Sequence, residues 1–209
     1  MKIKILLILN IFVLIGSYMV CEKPYTAEDL KIINELKRHR ETKDSLFQYA
    51  EWTPLSKEDR ENFHGLVYFP IDLSQRFKGP IIEYESTILD TIRETKGDLR
   101  PAIKYGFFPF QYKNRELKIQ IYKILSDAPQ STEYLFMGFT DETTGKETYG
   151  AGRYINPIKK GENIYIVDFN LAYNPYCAYN KKYSCAIPPD ENHFNFSIFA
   201  GEKIYRYHK

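Results

Sequence analysis

The first part of the chain shows the polar and apolar spacing of an amphipathic helix. Thr26 and Asp29 form an N-cap pattern, and apolar residues then recur at helical spacing from Leu30 onward. Pro54 ends the pattern, because proline cannot donate the hydrogen bond that continues a helix. A second capping pattern begins at Ser56. The sequence therefore predicts an N-terminal helix followed by one short helical turn.

From residue 66 onward the pattern changes to short apolar or alternating runs, which is typical of β-strands. The segment TDETTGK, residues 140–146, is a turn cluster between two such runs and predicts a hairpin. Because turns rather than helices separate the strands, we expect the strands to pair antiparallel. The predicted class is α+β, a mostly antiparallel β-sheet or partly open barrel with an N-terminal helix. The predicted strands cover residues 66–69, 81–88, 117–124, 134–139, 149–155, 164–169 and 194–198.

Residues 1–21 have the pattern of a lipoprotein-type signal peptide. Two lysines precede an apolar run over residues 5–20. Cys21 then resembles the acceptor cysteine of a bacterial lipoprotein, although Val20 stands where a small residue is preferred. An uncleaved anchor is the alternative, because the run is only slightly shorter than a membrane span. The sequence predicts an exported protein of the bacterial cell envelope, held at the membrane through Cys21, with residues 22–209 as a single α+β domain.

The charge of the chain indicates whether nucleic acid or an anionic membrane surface is an expected partner. Of 209 residues, 29 are Lys or Arg and 27 are Asp or Glu, and Lys2 and Lys4 belong to the signal segment. The remainder is near neutral and has no basic block, so we expect no nucleic-acid partner. The basic run at residues 37–40 is interpreted as a solvated helix face, with contact to an anionic membrane surface as the alternative.

Two cysteines outside the signal segment lie in a proline-rich stretch. Cys177 and Cys185 are close in sequence, and an oxidising envelope favours a disulfide between them. Their spacing is not that of a zinc ribbon or knuckle, and the chain has no second pair to complete four ligands. Two reduced thiols are the alternative.

The irregular stretch over residues 164–203 is the most distinctive part of the sequence. Its density of Asp, Asn, Cys, Pro and Tyr is typical of a fixed loop surface, where binding and catalytic residues tend to lie. Signatures of hydrolases, nucleotide-binding loops and EF-hands are missing from the chain, and no cofactor is indicated. Together with the predicted hairpin, the stretch supplies the candidate site residues Asp141, Tyr149, Arg153, Asp168, Asn170, Asn174, Glu191 and Asn192.

These polar residues allow more than one interpretation. Arg153 could clamp an anionic small molecule between tyrosine walls. Asp168 or Glu191 could instead act as the general base of an envelope hydrolase. Hard oxygen ligands for calcium or magnesium could come from Asp141, Asp168, Asn170 and Glu191. A structural role is the third interpretation, because Asp and Asn cap turns and an arginine can bridge a neighbouring acid. We take binding of a small, anionic ligand as the working hypothesis.

Several segments together resemble the signature blocks of the domain-of-unknown-function family 1684. The resemblance runs from Trp52 to Lys203, with Ala151 and Ala186 replacing the family's usual glycine and proline. It implies no particular activity. It gives added weight to the candidate residues and to Glu202, and less weight to His64 and His193. The segments that carry the resemblance are residues 63–72, 139–145, 148–154, 168–170, 172–180, 188–192 and 200–203.

Overall fold

The computed structural model describes residues 24–125 and 134–205, so the predicted signal segment and Cys21 lie outside the described residues. Helix α1 spans Ala27–Tyr49, and its N-terminus has the predicted capping box, in which the Thr26 side chain accepts a hydrogen bond from the backbone of Asp29. Helix α2 spans Lys57–Glu61. Neither of these helices is long and apolar enough to cross a membrane.

Ten strands follow the helices and form three small sheets. A four-stranded antiparallel sheet has the order β2-β3-β4-β5, and a three-stranded antiparallel sheet has the order β1-β9-β8. In the third sheet β6 lies between β10, which is parallel to it, and β7, which is antiparallel. The strands are β1 Arg76–Gly79, β2 Ile82–Arg93, β3 Leu99–Tyr112, β4 Arg115–Ile124, β5 Tyr134–Phe136, β6 Gly138–Asp141, β7 Arg153–Tyr154, β8 Ile158–Lys159, β9 Tyr165–Asp168 and β10 His193–Phe194.

The predicted α+β class is confirmed, since one N-terminal helix precedes mostly antiparallel sheets, one of which forms a half-barrel. The pairing of β6 with β7 also confirms the hairpin predicted around the turn cluster. The main core lies inside these sheets and includes Phe108, Ile119, Phe139 and Phe169, all almost fully buried. A second cluster joins α1 to the C-terminal loops through Phe47 and Tyr179, whose ring centroids are 4.9 Å apart.

The longest strand, β3, was not predicted, because Pro101, Gly106 and Pro109 interrupt its pattern. Gly106 lies at an irregularity in the pairing of β3 with both neighbours, where an added Cβ would lie 2.3 Å from the carbonyl oxygen of Ile82. Pro109 pairs with β4 but lies beyond the last residue of β3 that pairs with β2. A proline is tolerated there because no donor is needed on the open side.

Three predicted strands are shorter in the structure than the apolar patterns indicated. Residues 66–69 form only an isolated bridge, between Tyr68 and Glu202, rather than a strand. The predicted strands at 149–155 and 194–198 shrink to the two-residue strands β7 and β10. Ile155, Phe194 and Ile198 still join the main core, although most of these residues lie outside the strands. Apolar spacing alone shows that a residue is buried and not that it belongs to a strand.

Candidate ligand-binding cleft

Arg153 and Asp141 form a fully buried ion pair between β6 and β7. Nη2 of Arg153 lies 2.9 Å from Oδ2 of Asp141, and the side chains are about 1 % exposed. The guanidinium also donates to the backbone carbonyls of Ile198, Ala200 and Glu202. Burial lowers the pKa of Arg153 to about 10, while Asp141 opposes that shift. The donors of Arg153 therefore face protein carbonyls and one carboxylate, and they hold the C-terminal loop rather than line a cavity.

Asp168 and Asn170 belong to a second network. Oδ2 of Asp168 accepts a hydrogen bond from Arg76 at 2.5 Å, and Oδ1 accepts from both the backbone and the side chain of Asn170. The Asn170 amide in turn exchanges two hydrogen bonds of 2.8 Å with the backbone of Asp72. Both oxygens of Asp168 are thus committed to protein partners, and Arg76 rather than Arg153 is its counterion.

Glu191 and Asn192 lie near β4, away from both networks. Asn192 is fully buried and exchanges hydrogen bonds with the backbone of Gln120 at 2.7 and 2.9 Å, while also donating to the carbonyl of Gly138. Glu191 is more exposed and accepts from Tyr122 and Lys104. The structure does not bring Glu191 together with Asp141 or Asp168, and no group of three metal-ligating side chains is found in residues 24–125 and 134–205.

Tyr149 contacts the two cysteines of the proline-rich stretch. Its hydroxyl lies 3.5 Å from the sulfur of Cys177, and the backbone N–H of Cys177 donates to the sulfur of Cys185 at 3.2 Å. Both cysteines are free thiols in the structure. The hydrogen bond from Cys185 is the main cause that lowers the pKa of Cys177, and Tyr149 contributes in the same direction. The pair is adjacent in space, and the disulfide stays a prediction.

Glu202 and Asn174 form the last network, which opens onto a cleft. Glu202 is 1 % exposed, and one of its oxygens forms an ion pair with Lys43 of α1. The other oxygen accepts hydrogen bonds from the backbone N–H of Asn174 at 2.9 Å and from the hydroxyl of Tyr179 at 2.5 Å. The Asn174 side chain donates to the carbonyl of Lys203. A buried carboxylate is thus held by one cation and two donors, as such a group requires.

The cleft has a volume of about 490 Å³ and lies between α1 and the loop that follows β9. Lys43 lies 5.0 Å from the ring centroid of Tyr173 and 5.2 Å from that of Phe47. Most of the wall is apolar or aromatic, and Lys43 and Glu202 bring the charged groups. The lining residues are His39, Lys43, Leu46, Phe47, Trp52, Tyr68, Asn156, Ile158, Asn170, Leu171, Ala172, Tyr173, Tyr176 and Glu202.

Arg40 lies beside the cleft rather than in it. Its guanidinium carbon is 4.5 Å from the ring centroid of Tyr68, and Nη1 donates to the carbonyl of Phe69 at 3.0 Å. Within the described part of the chain, the remaining Arg40 nitrogens and the Tyr68 hydroxyl are buried without a hydrogen-bond partner. Burial raises the pKa of the Tyr68 phenol, so this hydroxyl keeps its proton and can donate it in a hydrogen bond.

Of the predicted site residues, Asn170 alone lines the cleft, while Asn174 supports Glu202 from behind. The sequence analysis missed the contribution of α1, because it interpreted residues 37–40 as a solvated face. The usable signal was the spacing of His39, Lys43 and Phe47, which puts all three on one side of a helix.

The fold and cleft define an α+β domain in which the ion pair of Lys43 and Glu202 lines an amphipathic cleft. A family model described as "Protein of unknown function (DUF1684)" matches residues 61–203, which is more than half of the chain. The protein belongs to this family, as the resemblance indicated.

One similar solved structure is the solution NMR structure of an uncharacterized protein from gene locus rrnAC0354 of Haloarcula marismortui. It is 28 % identical, covers 88 % of this chain and all of its own, and superposes with a TM-score of 0.63. No curated protein matches the chain.

Proposed function

We propose that the protein binds a small amphipathic molecule in the cleft between α1 and the loop that follows β9. The observation that carries the proposal is the ion pair between Lys43 and Glu202, which lines a cleft whose wall is mostly apolar or aromatic. Sites for small molecules commonly combine an apolar wall with a few placed polar groups. The structural interpretation of the other predicted residues fits this arrangement, because they hold the loops that shape the cleft.

Lys43 keeps binding capacity that the fold does not use. An ammonium has three N–H donors, and the ammonium of Lys43 donates to the carboxylate of Glu202. The Lys43 side chain is 18 % exposed, so it reaches the cleft while the carboxylate behind it is covered. A ligand in the cleft would therefore meet a cation that is already oriented.

Aromatic side chains also line the cleft that contains this cation. Trp52 is 54 % exposed and Tyr176 is 39 % exposed, and both line the cleft together with Tyr173. Large exposed rings beside a cavity are typical of surfaces that bury a ligand. We infer that these rings contact the apolar part of the molecule.

The hydrolase hypothesis gains no support from the geometry. Asp168 uses both oxygens in bonds to Arg76 and Asn170, and Glu191 lies in a different network with Tyr122 and Lys104. Neither carboxylate lines the cleft. Arg153 does not line the cleft either, since it is buried among backbone carbonyls. We therefore assign to Lys43 the anion-binding role that the sequence suggested for Arg153.

We also propose that the domain is held at the membrane of the bacterial envelope through a lipid on Cys21. The support is the sequence pattern of residues 1–21 alone. Metabolic labelling with palmitate should mark the protein and should disappear in Cys21→Ala. Labelling that persists in that variant would contradict the anchor without affecting the cleft.

Native mass spectrometry of the full chain tests the binding proposal. We expect a retained small molecule in the natural protein, and its loss in Lys43→Met. Lys37→Met is the matched control, because Lys37 is an exposed lysine on the same helix and does not line the cleft. A bare protein in all three samples, with no saturable binding of any amphipathic molecule, would refute the proposal.

A further inference from the structure

Several hydrogen-bond donors in and beside the cleft have no acceptor in the described part of the protein. Lys43 has N–H donors beyond the one that binds Glu202. The Tyr68 hydroxyl and two Arg40 nitrogens are buried without a partner among residues 24–125 and 134–205. Leaving buried donors unsatisfied is costly, so an acceptor supplied from outside would bind favourably. Of these three side chains, Lys43 and Tyr68 line the cleft.

Each carboxylate and amide side-chain oxygen that lines the cleft already accepts a hydrogen bond from the protein. Both oxygens of Glu202 accept bonds from protein groups, the side-chain oxygen of Asn170 accepts from Asp72, and that of Asn156 accepts from Tyr173. A ligand that brings a donor, such as an amine, would have to share these oxygens with the donors that they already bind. A ligand that brings an acceptor displaces nothing.

The direct ion pairs leave one cation without a counterion in contact. Lys43 pairs with Glu202, whereas Arg40 forms no ion pair within 4 Å among the described residues. Asp44, which follows Lys43 on α1, accepts a hydrogen bond from the backbone of Leu66 instead, and burial raises its pKa. A negatively charged ligand in the cleft would meet Lys43, and the neighbouring guanidinium of Arg40 has no carboxylate in contact within the described chain.

We propose that the ligand is a small organic acid whose carboxylate bonds to Lys43 and Tyr68 while its apolar tail lies against Trp52 and Tyr173. This inference deepens the proposed function and rests on it. A carboxylate offers two strong acceptor oxygens and forms charge-assisted hydrogen bonds, which exceed neutral ones in strength. An aromatic or short aliphatic tail suits the apolar wall of a cleft of about 490 Å³.

The natural protein contains its own reporter. Trp52 is the single tryptophan of the chain and lines the cleft, so its emission responds to a ligand placed there. The full chain, in discs of phosphatidylcholine, is titrated with three molecules that share one tail: 3-phenylpropionate, 3-phenylpropanol and 3-phenylpropylamine. Trp52→Phe in identical discs gives the blank.

We expect saturable binding of the acid, at least tenfold tighter than that of the alcohol, and no saturable binding of the amine. Tyr68→Phe keeps the Lys43–Glu202 pair and should weaken binding of the acid severalfold more than that of the alcohol. Lys43→Met should abolish the preference for the acid, and Lys37→Met should leave it intact.

Equal binding of acid and alcohol, or tighter binding of the amine, would overturn the carboxylate inference and leave the cleft as a binding site. Absence of binding by all three molecules would overturn the inference as well. The proposed function is then judged separately, by whether native mass spectrometry finds a retained molecule that is lost in Lys43→Met.

Discussion

Arg153 donates a hydrogen bond to the backbone carbonyl of Glu202 at 3.3 Å, although the two side chains serve different networks. The same guanidinium binds the carbonyls of Ile198 and Ala200 and the carboxylate of Asp141. It thereby fixes the loop that carries Glu202, whose side chain lines the cleft. The buried ion pair of Arg153 and Asp141 stabilises the loop next to the candidate site and does not itself line the cleft.

Replacing Arg153 should therefore destabilise the fold. Arg153→Met leaves the carboxylate of Asp141 buried without its counterion, and we expect a loss of about 3–5 kcal/mol in the free energy of unfolding, measured by denaturant titration. The exposed pair Lys146 and Glu142 is the control, and Lys146→Met should change stability by less than about 0.5 kcal/mol. A fully stable Arg153→Met that fails only in ligand binding would contradict this account and restore the clamp hypothesis.

Two glycines with the same backbone angle should respond differently to substitution. Gly145 and Gly201 both have φ of +77°, so alanine costs about 1–2 kcal/mol at either position for the backbone alone. At Gly201 a Cβ would also lie 2.6 Å from the carbonyl oxygen of Ala172, whereas at Gly145 nothing lies within 4 Å.

We expect Gly201→Ala to lower the free energy of unfolding by at least about 2 kcal/mol more than Gly145→Ala does. The two variants are compared by thermal and denaturant unfolding. Equal losses would show that the close packing of the C-terminal loop against Ala172 is not needed for stability.

His39 should titrate below its ordinary range. It lies on the rim of the cleft, where loss of hydration is the main cause that lowers its pKa and the neighbouring Lys43 contributes in the same direction. NMR titration of the imidazole should give a pKa below 6.5 in the natural protein. Lys43→Met should raise the pKa, because it removes a cation and leaves Glu202 without its ion pair.

The lowered pKa of His39 also predicts that the stability of the fold depends on pH. The unfolded chain takes up a proton at His39 at higher pH than the folded protein does, so stability should fall as the pH is lowered through 6.5 toward the folded pKa. His39→Gln should remove that part of the slope. An unchanged slope would assign the dependence to other groups.

Cys177 and Cys185 should form a disulfide under mild oxidation. Alkylation of the denatured protein, followed by mass spectrometry, should find both Cys177 and Cys185 alkylated before oxidation and neither of them alkylated after it. Closing this short loop should stabilise the fold by about 2–3 kcal/mol in the chain-entropy model. Cys185→Ser is the control, and its stability should not respond to oxidant. Persistent free thiols in the natural protein would favour the reduced alternative.

Local pattern was sufficient for the elements that form from their own residues. The capping box of Thr26 and Asp29 and the hairpin around residues 140–146 appear as predicted. Strand β3 could not be predicted in this way, because its residues depend on the neighbouring strands. Gly106 is needed where β2 comes close, and Pro109 is tolerated where β2 no longer pairs. A one-dimensional pattern does not contain that information.

The candidate site shows a similar division. The density of Asp and Asn correctly marked groups that make many hydrogen bonds, but Asp141, Asp168 and Asn192 direct those bonds inward to the protein itself. Lys43 was overlooked because its role depends on Glu202, 159 residues further along the chain. No local rule connects the two.

The position of α1 has a consequence for how specificity is distributed along this chain. The family match begins at residue 61, whereas α1 spans Ala27–Tyr49 and supplies His39, Lys43 and Phe47 to the cleft. The family segment thus provides the carboxylate of Glu202, and a separate stretch of sequence provides its cation. Substitutions on the cleft side of that one helix would therefore change the charge and shape of the cleft without altering any residue of the family segment.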